Sequence, residues 1–361
     1  MAAKHYTGNQ VAKAGKAFLD LDRLLNDDEE FNRVMDVLSF WRLCHEQPLD
    51  HAWEVLQEVS KKHDASVILA KRLKRYASIH KKLVRFQEMS LKGMQDIGGC
   101  RAIFANEKRL TKVVRDLRRR AAFKTPSGKI RSKDYIKNPK PDGYRSYHLV
   151  GRFPNADGSL RNIEIQLRTR LQHYWATALE IVDLFTGQAL KSNQGDEQWE
   201  TFFAEVSRQF SIMDKIHMFK TLKPAKQFNR YSYEVDRTGH GKSRAKVQRL
   251  YKSLKIEKKF TAYAGSISVL DKQFKDSPKS SYVLLRIDTQ ARVVNSKVFA
   301  ANKSKNAEAA YIQAEKDAAQ NDDVAVALVS SASVGGIREA YPNFFADSTE
   351  FLKHLSYVVG T

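Results

Sequence analysis

The sequence predicts an α/β chain of the α+β kind, in which helices flank a mixed β-sheet and a small second α+β unit follows. Three observations carry that expectation. "LRNIEIQLR" alternates strictly, with Ile163, Ile165 and Leu167 on one side and Glu164, Gln166 and Arg168 on the other, the period-two pattern of a strand with one buried face. "PNADGS" just before it contains Asp157-Gly158, a hairpin signal that makes "YHLVGRF" its partner strand. Elsewhere apolar residues recur at helical spacing, as in Phe31, Val34, Val37, Leu38 and Trp41.

Each element follows in order. Residues 8–60 read as two or three helices: "DDEEFNRVMDVLSFWRLCHE" opens on acidic residues that suit a helix N-terminus, and "PLDHAWEVLQEVSKKH" opens on Pro48 and Asp50. Residues 66–92 carry two stripes at helical steps. Leu73, Tyr76, Ile79, Leu83 and Phe86 form an apolar face, and Lys71, Arg75, Ser78, Lys82 and Arg85 a basic one, with Lys74 and Lys81 beside it. Arg72 is off the face of Lys74, Ser78 and Lys82, which puts it at or before the helix start. "DIGGCRAIF" reads as a glycine turn entering a strand, "EKRLTKVVRDLRRRAAF" as a basic helix, and residues 124–140 as a loop. Helices follow the hairpin at "TRLQHYWATALEIVDLF" and near 195–219. Residues 230–260 are strongly basic and read as a short linker running into a helix. Beyond them "YVLLRID" and "RVVNSKVFA" read as paired strands, "NAEAAYIQAEKDAA" as a helix, "DVAVALVSS" as a strand, and "GGIREAYPNFF" and "STEFLKHLSYV" as helices. The expected division is 1–225, a basic segment 226–260, and a small α+β domain 261–361.

Composition narrows the function classes. With 42% hydrophobic residues the 361-residue chain can bury a sizeable core, and no apolar run is long enough to span a membrane. Cys44 and Cys100 stand far apart and form neither a zinc pattern nor a disulfide framework. The first residues lack the apolar core of a signal peptide, so a reducing cytoplasm is the expected location. A net charge of +21 and a pI near 9.8 favour a polyanionic ligand, whether nucleotide, nucleic acid or acidic partner.

Chemistry concentrates in a few places. The polar side of 161–168 presents an acid, an amide and a guanidinium in a row. Asp96 precedes Gly98 and Gly99 at the entry to another strand, with Arg101 after it. Two carboxylates on neighbouring strand ends, surrounded by cations, suit Mg²⁺ held together with substrate phosphates. "KNPKPDGYRSYHLVGRF" is a basic, aromatic and glycine-broken loop, more than a plain hairpin needs.

Four of these segments, in this order, resemble the synthetase domain of the RelA/SpoT alarmone synthetases. "RLKRYASIHKKL" is similar to the family's donor-site pattern through Arg72, Lys74, Ser78, Ile79 and Lys82. "DIGGCR" is similar to its metal-binding segment through Asp96 and Arg101. "KDYIKNPKPDGYRSYHLV" resembles its acceptor loop through Lys133, Asp134, Tyr135, Lys140, Gly143, Tyr144, Ser146 and His148, and "EIQLRT" with "QHYWA" resembles its catalytic strand and helix. The likeness covers about residues 45–185. It implies a nucleotidyltransferase-like fold and transfer of the β,γ-pyrophosphate of ATP to the ribose 3′-hydroxyl of GDP or GTP, giving (p)ppGpp and AMP. It also implies the roles. Arg72, Lys74, Ser78, Lys82 and Arg101 would bind ATP. Lys133, Lys140, Tyr144, Ser146 and His148 would bind the acceptor, with Tyr144 stacked on the base. Glu164, Asp96, Gln166 and Arg168 would be catalytic, and Asp96 and Glu164 would hold Mg²⁺ or Mn²⁺.

The sequence departs from that pattern at Gly98-Gly99-Cys100, after the catalytic helix, and in the added C-terminal unit. His63-Asp64 has no Glu-Asp partner downstream, so it reads as a solvated helix end and no hydrolase site is expected. A compact, synthetase-only member is expected. The acceptor stays open. "RDLRRR" and the basic segment would also suit a toxin-type member that modifies the 3′ end of tRNA. An adenine nucleotide acceptor, or a nucleotide- or RNA-binding module without activity, are the other readings. A homo-oligomer and a protein regulator or antitoxin are compatible partners, and no membrane is.

Overall fold

The computed structural model describes residues 5–186, 196–260, 282–288, 293–303, 324–330 and 344–360, with scattered positions between 306 and 317. The chain forms two compact units: Met1–Asn138 with Ser146–Arg170, and Pro139–Arg145 with Leu171–Thr361.

The first unit is built on a five-stranded sheet, the mixed α/β architecture the sequence leads one to expect. Its strands are β1 (Ile68–Leu73), β2 (Gly98–Phe104), β3 (Arg131–Asp134), β4 (Tyr147–Pro154) and β5 (Leu160–Thr169), in the order β1-β2-β5-β4-β3. Only the β2–β5 pair is parallel. Ahead of β1 come α1 (Gly8–Ala17), α2 (Leu21–Leu24), α3 (Asp28–Leu43) and α4 (Glu46–His63); α5 (Tyr76–Arg85) follows β1, and α6 (Glu107–Leu117) follows β2. Local signals set the starts: Thr7 and Gln10 form a capping box on α1, Asp27 caps α3, and Asn106 caps α6.

The sheet buries one face. Cys100, Ala102, Tyr147, Leu149, Ile163, Ile165 and Leu167 pack against Leu49, Ala52, Leu56 and Val59 of α4 and Leu110, Val113, Val114 and Leu117 of α6. Gly98 lets the strands close up, because a Cβ there would meet Ile163 Cδ1 at 2.6 Å. A second core joins α1, α3 and α5 through Val11, Leu38, Ile79 and Leu83.

Three local expectations are corrected. Residues 68–73, read into the stripes of a helix, are strand β1, paired antiparallel with β2. Lys71 turns to α4 and pairs with Asp50, while Phe86 is exposed. Tertiary pairing overrides a helical period that holds for only a few residues. The segment read as loop contains β3 at the sheet edge. Asp64 is no solvated helix end. Its side chain is fully buried and accepts from the Ala105 amide at 2.8 Å, Ser66 Oγ at 2.7 Å and Arg109 at 2.6 Å. His63 in turn meets Asp116 at 2.6 Å.

The second unit is mainly helical, with α7 (Arg170–Thr186), α8 (Glu197–Lys215), α9 (Pro224–Arg237), α10 (Gly241–Ser253) and α11 (Phe344–Val359). Trp175, Trp199, Phe202, Phe203, Phe210, Tyr231, Val247, Phe351 and Leu355 form its core. A small antiparallel sheet has β6 (Tyr282–Asp288) between β7 (Val293–Phe299) and β8 (Val324–Ser330), as the paired-strand reading has it. The described positions between 306 and 317 are helical, and "STEFLKHLSYV" lies in α11. Most of "GGIREAYPNFF" lies outside the described residues. The expected basic helix is α10, but the segment before it is helix α9 and no linker, and the two are closed by Tyr231, Val235, Val247 and Leu250. Part of the basic charge is engaged within the unit: Arg244 donates to Val358 O at 2.9 Å at the end of α11, Lys246 faces Glu205 at 3.9 Å, and Arg237 pairs with Glu234.

The glycine loop belongs to this unit. Lys140 O accepts from the Gly143 amide at 2.9 Å, closing a turn in which Gly143 has φ of +90°. A Cβ on Gly143 would lie 2.8 Å from Ala204 Cα and 2.9 Å from Ser207 Cβ of α8. Ser207 Oγ donates to Gly143 O and accepts from Arg145 Nε at 3.1 Å. Gly143→Ala therefore combines a left-handed backbone penalty of about 1–2 kcal/mol with a clash against helix backbone, whereas Gly128 has φ of +75° and nothing within 4 Å. In urea titrations Gly143→Ala is expected to lower the unfolding midpoint well beyond Gly128→Ala. Equal midpoints would refute the close-approach explanation.

Candidate active site

The other face of the sheet is polar. Strand register aligns Ala70, Arg101, Gln166, His148 and Lys133 in one row across all five strands. The adjacent row is Arg72, Gly99, Glu164, Val150 and Arg131. Because Leu69, Leu73, Cys100, Ala102, Tyr147, Leu149, Ile163, Ile165 and Leu167, which alternate with them, belong to the apolar core, these side chains share the opposite face. Gly99 stands between Arg72 and Glu164 and leaves that part of the face without a side chain.

Glu164 is the centre of a hydrogen-bonded group. His148 Nδ1 donates to its Oε1 at 3.0 Å and Gln166 Nε2 to its Oε2 at 2.8 Å. Burial pushes the Glu164 carboxyl up, but the His148 bond and charge, the Gln166 amide and the Lys82 charge outweigh it and hold it at about 2. The carboxylate thus stays ionised at any physiological pH. Tyr135 stands edge-on to His148, ring centroids 5.2 Å apart. Arg168 is buried at the end of the same strand.

Asp96 sits between two lysines. Lys74 Nζ is 2.8 Å from Oδ2 and Lys82 Nζ 2.9 Å from Oδ1. Chain geometry explains the convergence: Lys74 directly follows β1 and its amide donates to Ile97 O at 2.7 Å, while Lys82 lies one helical turn from the end of α5. Arg72 precedes that helix as expected, exposed on β1, and Ser78 sits in its first turn.

The structure therefore gathers Arg72, Lys74, Ser78, Lys82, Asp96, Arg101, Lys133, His148, Glu164, Gln166 and Arg168 in the first unit. Ser146 is there too, but fully buried, its hydroxyl donating to Leu167 O at 3.1 Å, a splice between β4 and β5. Lys140 and Tyr144 fall in the second unit, where Tyr144 packs on the helical core and Lys140 Nζ lies 4.8 Å from its ring centroid. Residue roles read from the sequence did not include Tyr135, although it stands in the loop motif, nor the two-lysine grip on Asp96. Among the described residues no three His, Cys, Asp or Glu side chains cluster as a ready-made metal site, and no helix is long and apolar enough to cross a membrane.

An ionised carboxylate, an amide and several cations on one sheet face define a surface for phosphate-bearing ligands. Residues 71–181 match the model of the region found in RelA / SpoT proteins. GTP pyrophosphokinase YwaC of Bacillus subtilis is 35% identical over 114 residues, 29% of this chain and 52% of that protein. GTP pyrophosphokinase YjbM of the same bacterium is 33% identical over 129 residues, 34% of this chain and 58% of its own. The chain thus spans little more than half the length of these curated relatives. The crystal structure of small alarmone synthetase 1 from Bacillus subtilis, bound to its product pppGpp, is 25% identical. That match covers 49% of this chain and 93% of the other, with a TM-score of 0.43.

Proposed function

We propose that the chain is a pyrophosphokinase that transfers the β,γ-pyrophosphate of ATP to the ribose 3′-hydroxyl of GDP or GTP, producing (p)ppGpp and AMP. The observation that carries this reading is Glu164, held ionised on a cation-lined sheet face within the segment that matches the RelA / SpoT region. The names of the curated relatives support it.

The geometry of the first unit supports these roles. Arg72, Lys74, Lys82 and Arg101 supply positive charge for the triphosphate and for the charge that develops on the leaving AMP. Lys74 and Lys82 exchange Asp96 for phosphate oxygens as ATP arrives. Glu164, kept ionised, shares the metal or takes the proton of the 3′-hydroxyl, while His148 and Gln166 fix its two oxygens. Positioning and electrostatics supply most of the catalysis in phosphoryl transfer, and pyrophosphoryl transfer follows the same logic.

Mg²⁺, or Mn²⁺ in its place, fits the donors present: Asp96 and Glu164 are hard oxygen ligands, and Asp96 already accommodates two cationic partners. Held by these carboxylates, the ion would neutralise phosphate oxygens. Lys133 and the Lys140–Tyr144 turn are assigned to the acceptor.

The test is incubation of the protein with γ-labelled ATP and, separately, GDP, GTP, an adenine nucleotide and total tRNA. Labelled (p)ppGpp and equimolar AMP are expected. Label on tRNA with none on GDP or GTP would replace the reading by the tRNA-modifying one. Loss of a base stack costs about 1–3 kcal/mol, so Tyr144→Ala is expected to weaken acceptor binding roughly ten- to a hundredfold and leave ATP affinity unchanged by calorimetry. A fall in ATP affinity instead would reverse the assignment of the turn.

A further inference from the structure

We infer that Gly99 is the floor of the reaction point, the place on the sheet face where the phosphoryl group under attack rests directly on the backbone. The inference rests on the pyrophosphokinase reading and sharpens it. Three glycines lie within the strands of the five-stranded sheet: Gly98, Gly99 and Gly151. None has the left-handed φ that favours glycine. Packing explains two of them. A Cβ on Gly98 would meet Ile163 Cδ1 at 2.6 Å, and one on Gly151 would meet Phe153 at 2.5 Å and Phe123 at 2.8 Å, all inside the core. Among the described residues, a Cβ on Gly99 would meet only Glu164 O, at 3.6 Å, an ordinary van der Waals contact.

The first unit thus has room for a side chain at Gly99 and gives no packing reason for its absence. Glycine inside a strand costs backbone entropy and leaves nothing to pack. Such a position marks a bulge, a bend, or the close approach of a ligand or another backbone. β2 is regular here. Gly98, Gly99 and Cys100 pair in step with Leu73, Arg72 and Lys71 on one side and with Ile163, Glu164 and Ile165 on the other. Apart from the paired strand at Glu164 O, no described backbone comes within 4 Å of the added Cβ. Close approach by a ligand is the explanation that remains.

The neighbours say which group approaches. Arg72 and Glu164 flank Gly99 on the two adjacent strands, two strand spacings or roughly 10 Å apart. Arg101 follows two residues along β2, on the same face. A 3′-hydroxyl directed by Glu164 must find its phosphorus within about 3–3.5 Å, and the Arg72 guanidinium that neutralises the triphosphate stands on the other side of Gly99. The β-phosphoryl group of ATP therefore lies between them, over the bare strand. There the 3′-oxygen bonds to the β-phosphorus, and the bond from that phosphorus to the oxygen bridging the α-phosphate breaks. The bridging oxygen leaves with the electron pair as part of AMP, and the hydroxyl proton leaves on the Glu164 side. A methyl group on Gly99 would lift the phosphoryl group off this line.

The experiment compares the full wild-type chain with Gly99→Ala and Gly99→Ser. Urea unfolding midpoints are expected to stay level or rise, because each substitution restricts the unfolded chain and meets no clash in the folded one. AMP release from ATP with GDP as acceptor is expected to fall about a hundredfold for Ala, the cost of a misplacement on the order of 1 Å, and at least as far for Ser. By calorimetry both variants are expected to bind GDP as the wild type does. They should bind ppGpp roughly ten- to a hundredfold more weakly, the cost of forcing a group into filled space, because only ppGpp carries a pyrophosphate on the 3′-oxygen. Equal losses of GDP and ppGpp affinity would overturn the inference, and so would a lowered unfolding midpoint, which would give Gly99 a structural reason. If the wild type transfers to GDP or GTP and Gly99→Ala keeps pace, the inference alone fails. If the wild type transfers to neither, the pyrophosphokinase reading fails and the inference falls with it.

Discussion

Glu164→Gln is expected to cut pyrophosphate transfer by at least about a hundredfold while leaving the protein folded. Gln has the same shape and keeps one acceptor oxygen, so the strand register and the packing behind it are undisturbed. What it removes is a negative charge that His148 and Gln166 hold at a fixed place. Loss of one preorganised electrostatic contact to a transition state costs about 10²–10³ in rate. The measurement is AMP release with GDP as acceptor, beside the thermal unfolding midpoint. Wild-type turnover by the variant would remove Glu164 from the mechanism. A pH series adds a second check. A carboxyl whose folded value lies at about 2 is ionised throughout the range above it. Any loss of rate on acidification from pH about 7 to 5 must then come from another group, and Glu164→Gln should leave the midpoint of that limb in place.

The sequence makes this centre more legible than the scaffold around it. Strict alternation from Ile163 to Arg168 is enough to separate a core face from a polar one, so Glu164 and Gln166 stand out before any fold is known. Lys74 and Asp96 are 22 residues apart, and nothing in the spacing shows that they meet; pairing of β1 with β2 brings them together. β1 itself hides because Lys71 and Leu73 continue, by chance of spacing, the helical period that truly begins at Tyr76. Four-residue β3, set among Lys, Pro and Gly, offers too little alternation to read. Gly143 is visible as a loop breaker, but its physical reason is the backbone of α8, some sixty residues later in the chain. Asp64 misleads in the same way, since an acid at a helix end is usually solvated and only the return of the chain at Ala105 buries it.

That burial makes Asp64→Ala the largest stability change expected in the first unit. The carboxylate joins the end of α4, the Ser66 turn, the exit of β2 and α6 through bonds to Ser66, Ala105 and Arg109. Removal leaves the Ala105 amide without its acceptor and Arg109 without its counter-ion. Arg109, 44% exposed, can turn to water, but a buried donor left without its acceptor costs about 1–3 kcal/mol. Burial pushes the Asp64 carboxyl up, but the Ala105 amide, the Ser66 and the Arg109 bonds outweigh it and hold it below the ordinary 3.8. A group whose folded value is depressed stabilises the protein fully above its unfolded value, and that stabilisation fades as pH falls through the folded value. The difference between wild type and Asp64→Ala in urea unfolding is therefore expected to be constant from about pH 7 down to 5 and to shrink below about pH 4. Other depressed carboxyls, Glu164 and Asp116 among them, add to the acid lability of both proteins and cancel in that difference. A difference that instead grew on acidification, or a variant as stable as wild type at neutral pH, would show that Asp64 does not tie these elements together.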